Sequence, residues 1–560
     1  MIKLSALFIT FTFLLTNSAL SQSSYNKEFL DSVFTEFVKI KQPFTGIDAE
    51  KPLSEHSAKS KCGLFTINFV KQNIDLFTPQ QQQLLKTLAG RPDTTQSIVS
   101  SSGKFRIHYY TSDSQKPKYI PSLSISENLS LISAAIDSAY NFEVNYLGYP
   151  SPPSDNGQGG DNLYDIYIMN LGGSLYGYTE LENDLGLQKY TSFMVIDNDY
   201  SGYYSSGING AKATLAHEFH HGIQMGNYIL RFEDTFFYEI TSTSMEEFVY
   251  DDVNDYYAYM SSYFLNPQNA FAENDGYNLA IWNLFLKENF GFGLIKRQWE
   301  LMPSQRAMLA INTSIDEYQS NFKHELNQFG IWTYFTKHRA VNGKYFEEAA
   351  KYPVVRPIST ISFTSPDEIV SVNSKATANN FIRFTNVETN NDTLFVLITN
   401  GDIQGSMNSL SQQFSFTYYL YDHEESGAVQ IDSNYYSKFS TANPFLWSVA
   451  ELFDTVITVE PQLKTDYPYP APFSYNTHLA GKINIPVTAA NDNTVGLYIF
   501  NTAMELIYSN DAEEIDKLNK NVISWTVKDN QGEKLASGVY FYVIKNGDDI
   551  QKGKLVILHD

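Results

Sequence analysis

The chain of 560 residues is 43% hydrophobic and 15% aromatic, which supplies material for several packed cores and excludes a largely disordered polypeptide. Its formal net charge of −23 repels nucleic-acid phosphates and anionic membrane surfaces, so no nucleic acid is expected as a partner.

The chain opens with Met1-Ile2-Lys3, an apolar run from Leu4 to Leu15 and the small-residue stretch Ala19-Leu20-Ser21. A basic start, an apolar run too short to span a bilayer comfortably and a small-residue cleavage point describe a signal peptide over 1–21. No Cys stands at the cleavage point, so a lipoprotein anchor is unsupported. No later segment is apolar over a spanning length. The mature chain is therefore expected to be secreted, extracellular or at the cell surface, without a transmembrane segment. The single cysteine, Cys62, allows no internal disulfide framework. In Lys61-Cys62-Gly63 it has two readings. One is a buried incidental thiol, favoured because a lone Cys has no spacing to argue from; the other is a propeptide group that reaches a metal.

Residues 22–104 read as an N-terminal helical region and possible propeptide, with helical spacing over Phe29 to Ile40 and Gln80 to Leu88. Gly90-Arg91-Pro92-Asp93 and Ser100 to Gly103 suit a linker. A strand at Phe105 to Tyr110 then opens the expected catalytic domain, 105–345. Within it Leu129, Ile132, Ile136 and Tyr140 share one helical face, Leu163 to Met169 and Tyr190 to Ile196 read as strands, and the helical period dominates from 197 to 340, including Asn278 to Asn289. A sheet leading into helices is an α+β layout. Turn-rich sequence separating strands such as Leu394 to Ile398 and Phe414 to Leu420 predicts a β-sandwich over 353–480, and a second β unit over 483–560.

The chemistry concentrates in Ala216-His217-Glu218-Phe219-His220-His221. On a helix His217 and His221 project from one face and can hold one zinc ion. Glu218, rotated about 100° away, is placed as a general base for a water that the metal activates. His220 reads as packing or as support for a ligand. A catalytic zinc takes three protein ligands, and residues 222 to 231 contain no third His, so a carboxylate is required. Glu239, eighteen positions beyond His221, is the preferred candidate; Glu246 and Glu247 are rivals, and Glu246 could instead orient a ligand.

With these residues the chain resembles the gluzincin metallopeptidases, in which a Glu on a following helix completes the zinc site. Its stretches around His217 to His221, Phe237-Tyr238-Glu239 and Val249 to Tyr256 are similar to a group of secreted bacterial metallopeptidases. The resemblance implies a zincin-like domain, zinc held by His217, His221 and Glu239, Glu218 as base, and a protein or peptide substrate. Ile240-Thr241-Ser242 departs from the small Gly or Ala often found after that Glu. Tyr277, Tyr256 and Tyr257 are candidates for holding an oxyanion, none assigned. Tyr190 to Ile196 is placed where zincins keep the edge strand that pairs with substrate, although a buried central strand would read the same way. The last 75 or so residues resemble the Ig-like C-terminal domains of secreted bacterial proteins, including type IX secretion sorting domains, which implies secretion machinery or surface attachment as a partner. Two acidic loops, Asp155 to Asp161 and Asp197 to Asp199, suit calcium or plain turns. The rival readings are a catalytically inactive zincin-like binding protein and a surface adhesin or glycan-binding protein that works through its β domains.

Overall fold

The computed structural model describes residues 25–42, 61–173 and 175–362, the backbone of strands between 369 and 448, and later segments that include 374–385, 393–403, 482–487, 494–515, 522–547 and 549–558. The signal peptide expected over 1–21 lies outside the described residues. The fold is α+β. No helix among the described residues is long and apolar enough to cross a membrane.

Three helices come first: α1 (Lys27–Lys41), capped by the Asn26 side chain, α2 (Leu64–Gln72), and α3 (Pro79–Leu88), which begins with a Thr78/Gln81 capping box and Pro at its first position. A five-stranded sheet follows, built from β1 (Gln96–Val99), β2 (Phe105–Tyr109), β3 (Tyr164–Met169), β4 (Gly177–Gly186) and β5 (Lys189–Asp197). Its order is β1-β2-β3-β5-β4, with β2, β3 and β5 parallel and the two outer strands antiparallel to their neighbours. Ser100 to Gly103, expected as linker, is the connection of the β1/β2 hairpin, so the sheet begins at Gln96.

Side-chain alternation gives this sheet two buried faces. Ile166, Ile168, Met194 and Ile196 point into the main core, shared with α4 (Ile125–Tyr140) and α5 (Gly207–Ile223). Tyr167, Tyr178, Phe193 and Val195 point the other way, against Val33, Phe37, Ile67, Phe69 and Leu85 of the N-terminal helices. Helices α1, α2 and α3 thus contribute a layer of the fold. The rest of the helical part is α6 (Thr235–Val249), α7 (Ser261–Leu265), α8 (Ala280–Phe290), α9 (Phe292–Leu301), α10 (Ala307–Glu317) and α11 (Phe322–Tyr334).

Beyond residue 353, strands β6 (Ser359–Ser362), β7 (Ile369–Val372), β8 (Ala378–Thr385), β9 (Thr393–Asn400), β10 (Gln413–Tyr421), β11 (Gln430–Ser433), β12 (Phe439–Ser440) and β13 (Phe445–Ser448) form one sheet of order β11-β10-β9-β8-β6, with β12 paired to β10, and a separate β7/β13 pair. This region joins the helical part without a break in the core. Phe381, Phe395 and Leu397 belong to the main cluster, and the Asn379 amide donates to the Leu326 carbonyl of α11. A separate core, with no residue in common with those on either face of the first sheet, closes the chain. There β14 (Phe473–Ser474), β15 (Lys482–Pro486), β16 (Thr494–Phe500), β17 (Leu506–Glu514), β18 (Val522–Thr526), β19 (Gly538–Asn546) and β20 (Asp549–Leu558) make a five-stranded sheet, β14-β20-β19-β16-β17, and a β15/β18 pair. Ile483, Ile485 and Trp525 of the pair pack with Leu497, Tyr542 and Leu555 of the sheet.

Candidate metal centre

Helix α5 carries the His-Glu-x-x-His motif, and the one-turn spacing brings the Nε2 atoms of His217 and His221 to 3.0 Å. Helix α6 packs against α5 and presents Glu239, whose Oε2 is 3.2 Å from His217 Nε2 and 3.5 Å from His221 Nε2. All three side chains are buried. The other imidazole nitrogens are committed elsewhere. His217 Nδ1 donates to Glu246 Oε1 (2.8 Å), and His221 Nδ1 lies 2.7 Å from Gln224 Oε1 and 3.0 Å from Ser242 Oγ. This network places the protons on Nδ1 and leaves lone pairs on both Nε2 atoms. Glu239 Oε2, which faces them, has no hydrogen-bond partner.

Three buried acceptors aimed at one another repel unless a proton or a metal ion lies among them. Tetrahedral zinc, with bonds of about 2.0–2.1 Å, sets neighbouring donors about 3.3 Å apart. The observed separations of 3.0, 3.2 and 3.5 Å straddle that spacing, so the residues fit the ion. A fourth donor completes the group: the ligand atoms of Cys62, His217, His221 and Glu239 all lie within 4.8 Å of one another. Of the two readings of Cys62, the favoured one made its burial incidental; the thiol is buried, and it is buried at this group.

Electrostatics follow from burial and mutual contact. Burial pushes Glu239 up, but His221 and His217 outweigh it and hold the carboxylate down at about 2. Burial pushes His217 down, yet Glu239 and Glu246 together bring it up to about 9, so a metal ion at its Nε2 competes there with a proton that Glu239 favours. Burial lifts Glu218 above the ordinary carboxylate range, partly offset by His221 and His217. Cys62 is pushed far up by burial and by Glu218 and Glu239.

Glu218 stands one position along the helix, and its Oε2 accepts a hydrogen bond from the Thr179 hydroxyl of β4 (2.7 Å). Close approach of β4 to α5 depends on Gly177: a Cβ there would lie 2.7 Å from Thr214 Cγ2 and 2.8 Å from the Val195 carbonyl.

The rival carboxylates are elsewhere. Glu246 orients His217 and does not join the donor group, and Glu247 faces a separate cavity with Asp251, Glu347 and Glu348. His220 points away, donating through Nδ1 to Glu143 (2.8 Å) and packing on Tyr149 and Trp299. Among the tyrosines, Tyr277 stacks on His217 with ring centroids 6.0 Å apart, while Tyr256 bonds Glu348 and Tyr352 away from the site and Tyr257 packs beside it on Tyr352. The acidic loops are occupied by protein groups: Asp155 pairs with Arg91, Asp161 with Arg106, Asp199 with Lys118, and Asp197 accepts three backbone amides.

One expectation is corrected. Tyr190 to Ile196 is not the edge; β5 lies between β3 and β4, buried over most of its length, and the edge beside the metal group is β4. The polar positions Thr179, Glu180 and Glu182 leave β4 without an apolar run in the sequence. Ser242 and Gln224, which support His221, and Thr179, which supports Glu218, carry no spacing signal and were not foreseen.

No family model matches the chain, and no curated protein matches it. Among solved structures, it is similar to PorZ, an essential bacterial surface component of the type-IX secretion system of Porphyromonas gingivalis, at 10% identity and a TM-score of 0.14. The likeness covers 33% of this chain and 39% of that one, a level at which it carries no argument about fold or activity.

Proposed function

We propose that this protein is a secreted, zinc-dependent endopeptidase of gluzincin type. The observation that carries this reading is the convergence of His217 Nε2, His221 Nε2 and the unpartnered Glu239 Oε2, with Glu218 beside them on the same helix. In the proposed site His217, His221 and Glu239 hold the zinc, which when bound supplies Lewis acidity and makes water a nucleophile near neutral pH. Glu218 takes the water's proton and passes it to the leaving amine, steadied by the Thr179 hydroxyl. Glu246, Gln224 and Ser242 fix the two imidazoles in the tautomer that leaves Nε2 available. The outer edge of β4 is the track on which an extended peptide would pair, in place of the main-chain and side-chain groups of residues 61–71 that bond it here. The C-terminal sandwich is proposed to serve export or surface attachment.

Metal analysis and casein hydrolysis over long incubation test the reading. Zinc at about one ion per chain in both wild type and Glu218→Gln is expected, with hydrolysis lost in the variant. Protein without stoichiometric zinc would remove its basis.

A further inference from the structure

Residues 61–71 lie along the outer edge of β4, on the track where a peptide substrate would pair. The Tyr176 amide donates to the Lys61 carbonyl and the Gly63 amide to the Gly177 carbonyl, both at 3.1 Å, with Cys62 bridged to Gly177 in parallel. Gly63 permits this approach, since a Cβ there would sit 2.9 Å from Tyr178 Cβ. Two turns later the Asn68 side chain imitates a strand residue: its amide donates to the Thr179 carbonyl and its oxygen accepts from the Leu181 amide, each at 2.9 Å. Lys71 Nζ bonds the Leu181 carbonyl. The Gly177, Thr179 and Leu181 carbonyls and the Leu181 amide, on the outer edge of β4, are therefore occupied by the chain's own N-terminal region.

The ends of this segment are chemically matched to the site. Cys62 Sγ stands within the donor group of His217, His221 and Glu239, and its thiol touches Glu218. Lys61, 1% exposed, places its ammonium between Glu246 and Asp255 and over the rings of Tyr176 and Tyr259. A zinc site with four protein ligands is closed, whereas a catalytic one keeps a position open.

We propose that Cys62 is the fourth protein ligand of the metal and that Lys61 and Asn68 lock its segment onto β4, so that the chain in this form is self-inhibited. Ligation exchanges the thiol's S–H bond for a sulfur–metal bond and releases one proton to solvent. Glu218 is covered by the same side chain. This proposal rests on the peptidase reading above, with a regulatory consequence of its own.

The test uses the full-length protein with cobalt exchanged for zinc. Wild type is expected to show a near-ultraviolet sulfur-to-cobalt charge-transfer band that Cys62→Ser lacks while still holding the metal, and its thiol is expected to react with a thiol reagent only after chelation. Cys62→Ser, a near-isosteric change, is expected to hydrolyse casein at least about tenfold faster than wild type, and Lys61→Met to do so in part. Metal bound without the charge-transfer band, a thiol equally reactive with and without metal, or unchanged hydrolysis in a metal-loaded Cys62→Ser overturns this inference and leaves the peptidase reading standing. Absence of metal from both proteins overturns both.

Discussion

The two imidazoles at the metal group are held from behind by different partners, a carboxylate for His217 and neutral Gln224 and Ser242 for His221. Glu246 is the stronger of these supports because its charge favours the Nδ1 proton on His217. Glu246→Gln is expected to weaken zinc affinity by about 10–100-fold, measured by competition with a chromophoric chelator. Glu218 touches the reaction and not the metal, so Glu218→Gln is expected to lower hydrolysis by about 10²–10⁴-fold at unchanged zinc affinity. At this scale much could be read in advance. His217, Glu218 and His221 declare themselves by helical spacing, and Glu239 by its distance from them. Gln224, Ser242 and Thr179 reach the site only through the crossing of α6 and β4 with α5, which no local pattern encodes.

Among elements, the N-terminal helices fasten to the sheet through cations facing buried carboxylates. Lys41 and Lys71 both reach Glu180, and Arg91 reaches Asp155, Asp165 and Glu182. Burial raises the Glu180 carboxyl, but the two lysines outweigh it and the net direction is down. A carboxylate lowered on folding adds stability above its ordinary value, and that contribution is lost as pH falls through the lowered one. Melting temperature should therefore fall on acidification below about pH 4, and the Glu180→Gln protein should show a shallower decline over that range. Gly177→Ala, which forces β4 off α5, is expected to cost about 1–3 kcal/mol by denaturant unfolding. Long periodic helices such as α1, α3 and α8 were legible from their apolar spacing, and β2, β3 and β5 from apolar runs. The edge strand β4 was not, because an edge carries polar residues on the side that the rest of the chain must recognise.

Over the whole molecule, the C-terminal core shares no residue with the two cores on either face of the first sheet, and Trp525 is buried in it. Trp525→Ala is expected to destabilise the C-terminal sandwich by about 3–5 kcal/mol, seen in its own unfolding transition, with zinc content unchanged. The α+β class follows from the order of sequence patterns. That α1 to α3 form a layer of the fold does not, because burial of their apolar faces against Tyr167, Phe193 and Val195 is a long-range fact. That layer has a topological consequence for the thiol at the metal group. The covalent path from Cys62 to the sheet runs through the chain that follows it, by way of α2, α3 and the stretch 89–95. A nick upstream of Lys61 leaves the thiol tethered at an effective concentration of the order of millimolar, which no dilution can lower. A nick within 89–95, where Ala89, Asp93 and Thr95 are exposed, turns the same contact into one between two chains, with a dissociation constant and a lifetime.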